Sequence, residues 1–357
     1  MKKTVLTSIV LVVAFVSVAT GVLYKKFSSQ ECPRLFSPIM AAEPYYQGEM
    51  FDSHLHLPVV SKYVSDIAYK VGIPYPMWDE ELSVEHLQCL FGREGTSRAY
   101  GFHLLTKYSV TTEVKKAKEI EKLYPGMIVH FLMPVIINPT LDTDLSAVQK
   151  ALEDNPGFFR GLGELKMHDG KDPDDPYVLG LLDLARKHKL IVMMHPFNNH
   201  LADVEKIVRQ YSDVTFLLHG IAYAADFGTG HVEKDNSAWL KKLLANNDNV
   251  YYSKGAELPM HGWRGRQLGK AVPKEELLPY VKSQFDSTLE QDVARHKNMI
   301  EMYPDRFLME TDRQHPAHFD KEVSALLDEY SRAFIGRLAP SVQEKFAHKN
   351  AEALLKK

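Results

Sequence analysis

From residue 49 onward the chain alternates between two hydrophobic rhythms. MIVHFLMPVI (127–136), LIVMMHPF (190–197), VTFLLHG (214–220), NVYYSKG (249–255) and RFLMETD (306–312) are apolar at nearly every position. Such short runs predict strands buried on both faces. EMFDSHL (49–55), GFFRGLGELKM (157–167) and RAYGFHLLT (98–106) bring the strand candidates to eight. Between them the rhythm lengthens. TTEVKKAKEIEKLYP (111–125) sets Val114, Ala117, Ile120 and Leu123 on one helical face. TDLSAVQKALEDNP, DPYVLGLLDLARKHK and HLADVEKIVRQYS behave alike. Strand–helix alternation with such apolar strands predicts a parallel sheet covered by helices. The number of repeats suits a closed (β/α)8 TIM barrel, which usually takes about 250 residues or more. A doubly wound open sheet is the alternative, but no GxGxxG or GxxxxGKS/T follows any strand.

The first residues follow neither rhythm. Lys2 and Lys3 lead into an uncharged run from Thr4 to Tyr24, closed by Lys25 and Lys26. A helix of about 20 apolar residues is long enough to cross a bilayer. Residues 1–27 are therefore expected to be a signal peptide or membrane anchor, with Ser17-Val18-Ala19 as the small-residue cleavage site in the first case. Either reading exports the chain, leaving it anchored facing the periplasm or extracellular side, or secreted after cleavage. Residues 28–48 hold three prolines and no helical period, and read as a linker into one domain over 49–357.

Composition narrows the choice only at two points. With 357 residues and 45% hydrophobic content the chain can bury a large core, and a net charge of −3 with dispersed Lys and Arg gives no nucleic-acid footprint. Two cysteines, Cys32 and Cys89, make no disulfide framework, though a single bridge between them suits an oxidising compartment.

The chemistry sits where the strands end. FDSHLHL carries His54 and His56, two residues apart and so on one face of a strand, with Asp52 behind them. GLGELKM carries Glu164, with Lys166 on the same face; VMMHPF ends in His195, FLLHG in His219 and LMETD in Asp312. Any one of these, among sixteen histidines, is more simply a hydrogen-bonded or surface residue. Their order, each closing an apolar run, favours metal ligands, because all C-terminal strand ends of a barrel converge on one mouth.

That order resembles the amidohydrolase superfamily of metal-dependent (β/α)8 barrels, and within it the amidohydrolase-related group. The resemblance runs from about Met50 to the end, where FAHKNAEALL looks like the closing helix with its Asn350-Ala351 pair. It implies a divalent metal on His54 and His56, with His195, His219 and Asp312 as the later-strand ligands. Glu164 corresponds to the fourth-strand ligand of two-metal members, with Lys166 the alternative, so one or two ions are implied. Zinc is the first expectation and manganese the second. Asp312 would also shuttle the proton of the attacking water, and His219 would bind metal or the substrate's polarised oxygen.

Substrate choice is expected in the loops. SKGAELPMHGWRGRQLGK (253–270) offers Lys254, Arg264 and Arg266 to a carboxylate or phosphate, although a solvated basic loop explains them equally well. TDRQHPAHF adds Arg313, Gln314, His315 and His318, which an exposed turn also explains. The leading expectation is a metal-dependent hydrolase that cleaves an ester, lactone, amide or phosphoester bond of a small molecule, anionic if the loop arginines meet it. The alternative is a non-oxidative decarboxylase or hydratase acting on a small carboxylic acid. A non-catalytic, membrane-tethered metal binder fits poorly with ligands spread over so many strands. A homo-oligomer is left open.

Overall fold

The computed structural model describes residues 40, 43–57, 84–136, 142–166, 171–196, 200–220, 223–225, 232–255, 274–313 and 316–357. The N-terminal apolar run and most of the linker lie outside them. Among the described residues no helix is long and apolar enough to cross a membrane.

Eight strands form one parallel sheet: β1 (Met50–Leu57), β2 (Thr96–Leu105), β3 (Ile128–Pro134), β4 (Gly161–Lys166), β5 (Ile191–His195), β6 (Thr215–His219), β9 (Val250–Gly255) and β10 (Phe307–Glu310). They are ordered as they occur along the chain. A parallel bridge from Leu55 to Arg313, with the His56 N–H donating to the Arg313 carbonyl at 2.9 Å, brings the last strand back to the first and makes the barrel. β7 (Tyr223–Ala225) and β8 (Val232–Asp235) form a separate antiparallel ribbon.

Helices α1 (Val84–Glu94), α2 (Val110–Leu123), α3 (Leu145–Glu153), α4 (Pro176–His188), α5 (Leu201–Gln210), α6 (Ser237–Asn246), α7 (Lys274–Met302) and α8 (Lys321–Gly336) follow successive barrel strands. Local chemistry sets their ends. The Asp175 carboxylate accepts the Tyr177 N–H, Pro176 opens α4, and Lys189 ends it at φ 54°. Asp320 caps α8 by accepting the N–H groups of Glu322 and Val323 at 2.9 and 3.2 Å.

Alternation along each strand explains why these segments read as continuously apolar. Val192 and Met194 of β5, Phe216 and Leu218 of β6, and Tyr252 of β9 pack outward against the helices. Their neighbours Ile191, Met193, Leu217, Tyr251 and Leu308 fill the inside with Phe51, Tyr100, Phe102 and Phe131. The C-terminal turns plug the floor of the barrel through Ala351 and Leu354. There the Asn350 side chain donates to the carbonyls of Pro304 and Phe307 at 2.9 and 2.8 Å.

Candidate metal centre

The same alternation aims the site. Going up the inner series, Ile191 and Met193 are followed by His195, Leu217 by His219, and Leu308 by Glu310. On β1 the inner series begins with Phe51, which would turn even-numbered residues outward. A register shift between Asp52 and Leu55 reverses the parity and brings His54 and His56 inward. A second shift between Leu162 and Leu165 does the same for Glu164.

The inward side chains meet at one point. His54 Nε2 lies 3.6 Å from Glu164 Oε2, and His54 Nδ1 lies 3.4 Å from Glu310 Oε2 and 3.7 Å from Asp312 Oδ1. His56 Nε2 stands 3.5 Å from Glu164 and 3.2 Å from Asp312. His195 Nδ1 is 2.6 Å from Glu164 Oε1, which is also 3.4 Å from His219 Nε2. His219 Nδ1 is 2.7 Å from Glu310 Oε1. Three overlapping ligand triads result: His54–His219–Asp312, His54–His56–Glu164 and Glu164–His195–His219. Lys166 places its ammonium 3.1 Å from Glu164.

A glycine makes the packing of the imidazoles feasible. At Gly220, φ is +70° and a Cβ would sit 2.6 Å from His195 Nε2, so both the backbone and the ring require the absence of a side chain.

Charge is balanced within the cluster. Burial opposes a charge on His54, yet Asp312, Glu164 and Glu310 outweigh it and raise its pKa to about 9. Burial likewise opposes His219, and Glu310 and Glu164 raise it well above the usual imidazole range. Burial lowers His56, which the neighbouring His54 charge reinforces, and lowers His195 with the help of His219. The three acids stay ionised although burial works against each. Lys166, His195, His219 and His54 hold Glu164 well below its ordinary value, while His219 and His54 bring Glu310 to about 2. His54, His56 and His219 hold Asp312 well below its ordinary value.

The donor set fits a divalent ion. Both ring nitrogens of His54, which is wholly buried, lack a hydrogen-bond partner, as does Glu310 Oε2, while Glu164 Oε2 is met by the Lys166 ammonium. Buried polar atoms are otherwise almost always paired. Imidazole nitrogens and carboxylate oxygens without thiolates suit zinc or a similar transition ion at an open site.

The cluster thus gathers His54, His56, Glu164, His195, His219 and Asp312. Lys254 is placed elsewhere. It shares the outward parity of Tyr252, and its ammonium lies 2.8 Å from Asp292 and 5.1 Å from the centre of the Phe334 ring, 4% exposed. It belongs to the β9–α7–α8 packing rather than to the mouth. Arg264 and Arg266 lie outside the described residues. Arg313 turns to Glu94 in a buried bidentate pair, and His318 is buried. Cys89 is disulfide-bonded, and Cys32 lies outside the described residues.

Glu310 is a further member of the cluster, one that the strand-end pattern does not single out. Its signal was available: a carboxylate inside an apolar strand, two residues before Asp312 and on the same face.

No family model and no curated protein matches the chain. Solved structures do. A Burkholderia multivorans amidohydrolase with bound zinc shares 14% identity at a TM-score of 0.57, over 87% of this chain and 99% of that one. A probable 2-pyrone-4,6-dicarboxylic acid hydrolase from Acinetobacter baumannii, with citric acid bound, shares 11% at a TM-score of 0.57, over 87% and 100%. At such identities the likeness is one of fold: this chain has the barrel found in these solved structures.

Proposed function

We propose that the chain is a metal-dependent hydrolase acting on a small carboxylate-bearing ester or lactone. The observation that carries this reading is the buried meeting of four imidazoles and three carboxylates at the mouth of the barrel, with unpartnered donor atoms on His54 and Glu310. His54, His56, His195, His219, Glu164 and Asp312 would hold one or two divalent ions, zinc first. When bound, the ion supplies Lewis acidity and makes water acidic enough to ionise near neutral pH.

The remaining work falls to the chain itself. Asp312 is ionised and its Oδ1 lies 3.2 Å from His56 Nε2, so it stands ready to take a proton from water and return it to the leaving oxygen. Glu310 orients His219 through the contact at Nδ1, which leaves Nε2 directed into the cluster. Lys166 brings a positive charge to the mouth, partly exposed at 28%, where an anionic substrate would benefit from it. The carboxylate preference is supported by a structural neighbour named for a dicarboxylic acid and holding citric acid. Arg264 and Arg266 remain the candidate anion contacts from the β9–α7 loop.

The test is a hydrolysis panel of lactones and esters, with and without carboxylates, using zinc- or manganese-loaded protein. His54→Ala/His56→Ala should lose metal and turnover but keep its far-UV circular dichroism, since a core of this size does not depend on an ion. Asp312→Asn should keep most of the metal and slow the chemical step by about 10²–10⁴-fold. A doubly substituted variant that still binds zinc stoichiometrically would sink the assignment.

A further inference from the structure

One buried acid beside the cluster spends its hydrogen bonds on the two segments that carry opposite sides of it. Asp52 is 1% exposed. Its Oδ1 accepts the His54 N–H at 3.0 Å and the Thr311 N–H at 2.9 Å, while Oδ2 accepts the Thr311 hydroxyl at 2.5 Å. One carboxylate therefore grips the backbone of a metal-ligand candidate on β1 and the residue that precedes Asp312 after β10.

That grip acts next to an uncommon backbone. The φ of Asp312 is 49°, in the left-handed region that few residues with a side chain adopt, Asp more readily than most. On its other side Arg313 is anchored twice. The Arg313 guanidinium donates to both oxygens of Glu94 at 2.9 Å, and the Arg313 carbonyl accepts the His56 N–H at 2.9 Å. Each N–H of the HxH pair is thus bonded to something that also fixes a neighbour of Asp312.

We propose that Asp52 is a positioning residue that sets the separation of His54 from Asp312 through the Thr311 joint. The inference rests on the metal reading above. Barrel closure itself does not depend on this joint, because Ser53 Oγ also donates to the Met309 carbonyl at 2.8 Å and the Leu55–Arg313 bridge persists beside it. Loosening the joint should therefore move ligands without opening the barrel.

The experiment uses the full chain loaded with Co²⁺, read by affinity and by visible absorption, which reports ligand geometry. Thr311→Val removes one hydroxyl at nearly constant shape and should weaken Co²⁺ binding by about 10–100-fold, the usual cost of losing a group that orients ligands, with altered absorption bands. Thr311→Ser keeps the donor and should retain the original affinity and bands. Asp52→Asn should lose at least as much as Thr311→Val. If Asp52→Asn fails to fold, the Thr311 pair decides alone. Unaltered affinity and bands in Thr311→Val, with only a lower melting temperature, would overturn the proposal and leave a purely structural bond. An unsubstituted chain that takes up no Co²⁺ would overturn the metal reading, and the positioning role with it.

Discussion

Alanine at Gly220 should damage the metal centre and not merely the fold, and a second glycine separates the two effects. Gly220 and Gly126 have nearly the same backbone, with φ +70° and +75°. Alanine in that region costs about 1–2 kcal/mol at either place, a noticeable fraction of a typical total of about 5–15 kcal/mol. The surroundings differ. A Cβ at Gly126 meets nothing within 4 Å, whereas at Gly220 it sits 2.6 Å from His195 Nε2. Ordinary contact begins at 3.4 Å, so the imidazole must retreat by about 0.8 Å (3.4 − 2.6) or the backbone must yield. Functional constellations tolerate about 0.5 Å. Both variants should therefore lose stability in urea unfolding, Gly220→Ala by at least as much as Gly126→Ala. Only Gly220→Ala should also lose zinc affinity in a chelator competition, by about 10–100-fold, as when a ligand's orientation is disturbed. Equal zinc affinity in the two variants would show that His195 does not serve the centre.

The ion-free chain should give up protons when it binds metal, because His54, raised to about 9, and His219, held well above the ordinary imidazole range, must become neutral to act as ligands. Affinity should accordingly climb with pH towards about 9, and calorimetry in buffers of different ionisation heat should count the protons released; an affinity flat with pH would contradict the assignment of His54. The sign reverses for ion-free stability. A raised imidazole stabilises fully below its unfolded value of 6.5, and that contribution disappears as pH rises through about 9. Away from the site, Asp292→Ala should cost about 3–5 kcal/mol in urea unfolding, since it leaves the Lys254 ammonium buried without a countercharge.

All eight barrel strands were legible in the sequence, five of them because strands buried on both sides announce themselves by continuous apolar runs. Parity was harder to read. Lys254 stands at a strand end like the histidines, and only its odd–even relation to Tyr251 and Tyr252 assigns it to the helix side. His54 and Glu164 defeat simple parity, since each follows a register shift that no local pattern announces. Glu310 was hidden by its proximity to Asp312, which satisfied the expected motif first. Helix α7 is hard to read from the sequence for another reason: Pro279 interrupts its 29 residues, and the apolar positions form no clean stripe. Asp52 shows where sequence stops altogether, because its partner Thr311 is 259 positions away.

That distance imposes an order in time. β1 holds two of the imidazoles, yet the carboxylates of Glu310 and Asp312 reach them only when the end of the chain has arrived, and Tyr100 likewise waits for the carbonyl of Ala351, 251 residues on. Contacts so remote in sequence form late and slowly. Until then the first strand has an open edge, able to pair with another chain, and its histidines have at most Glu164 to balance their charge. A cation arriving early would find a pair of imidazoles but no enclosing cage, so tight capture follows folding instead of guiding it.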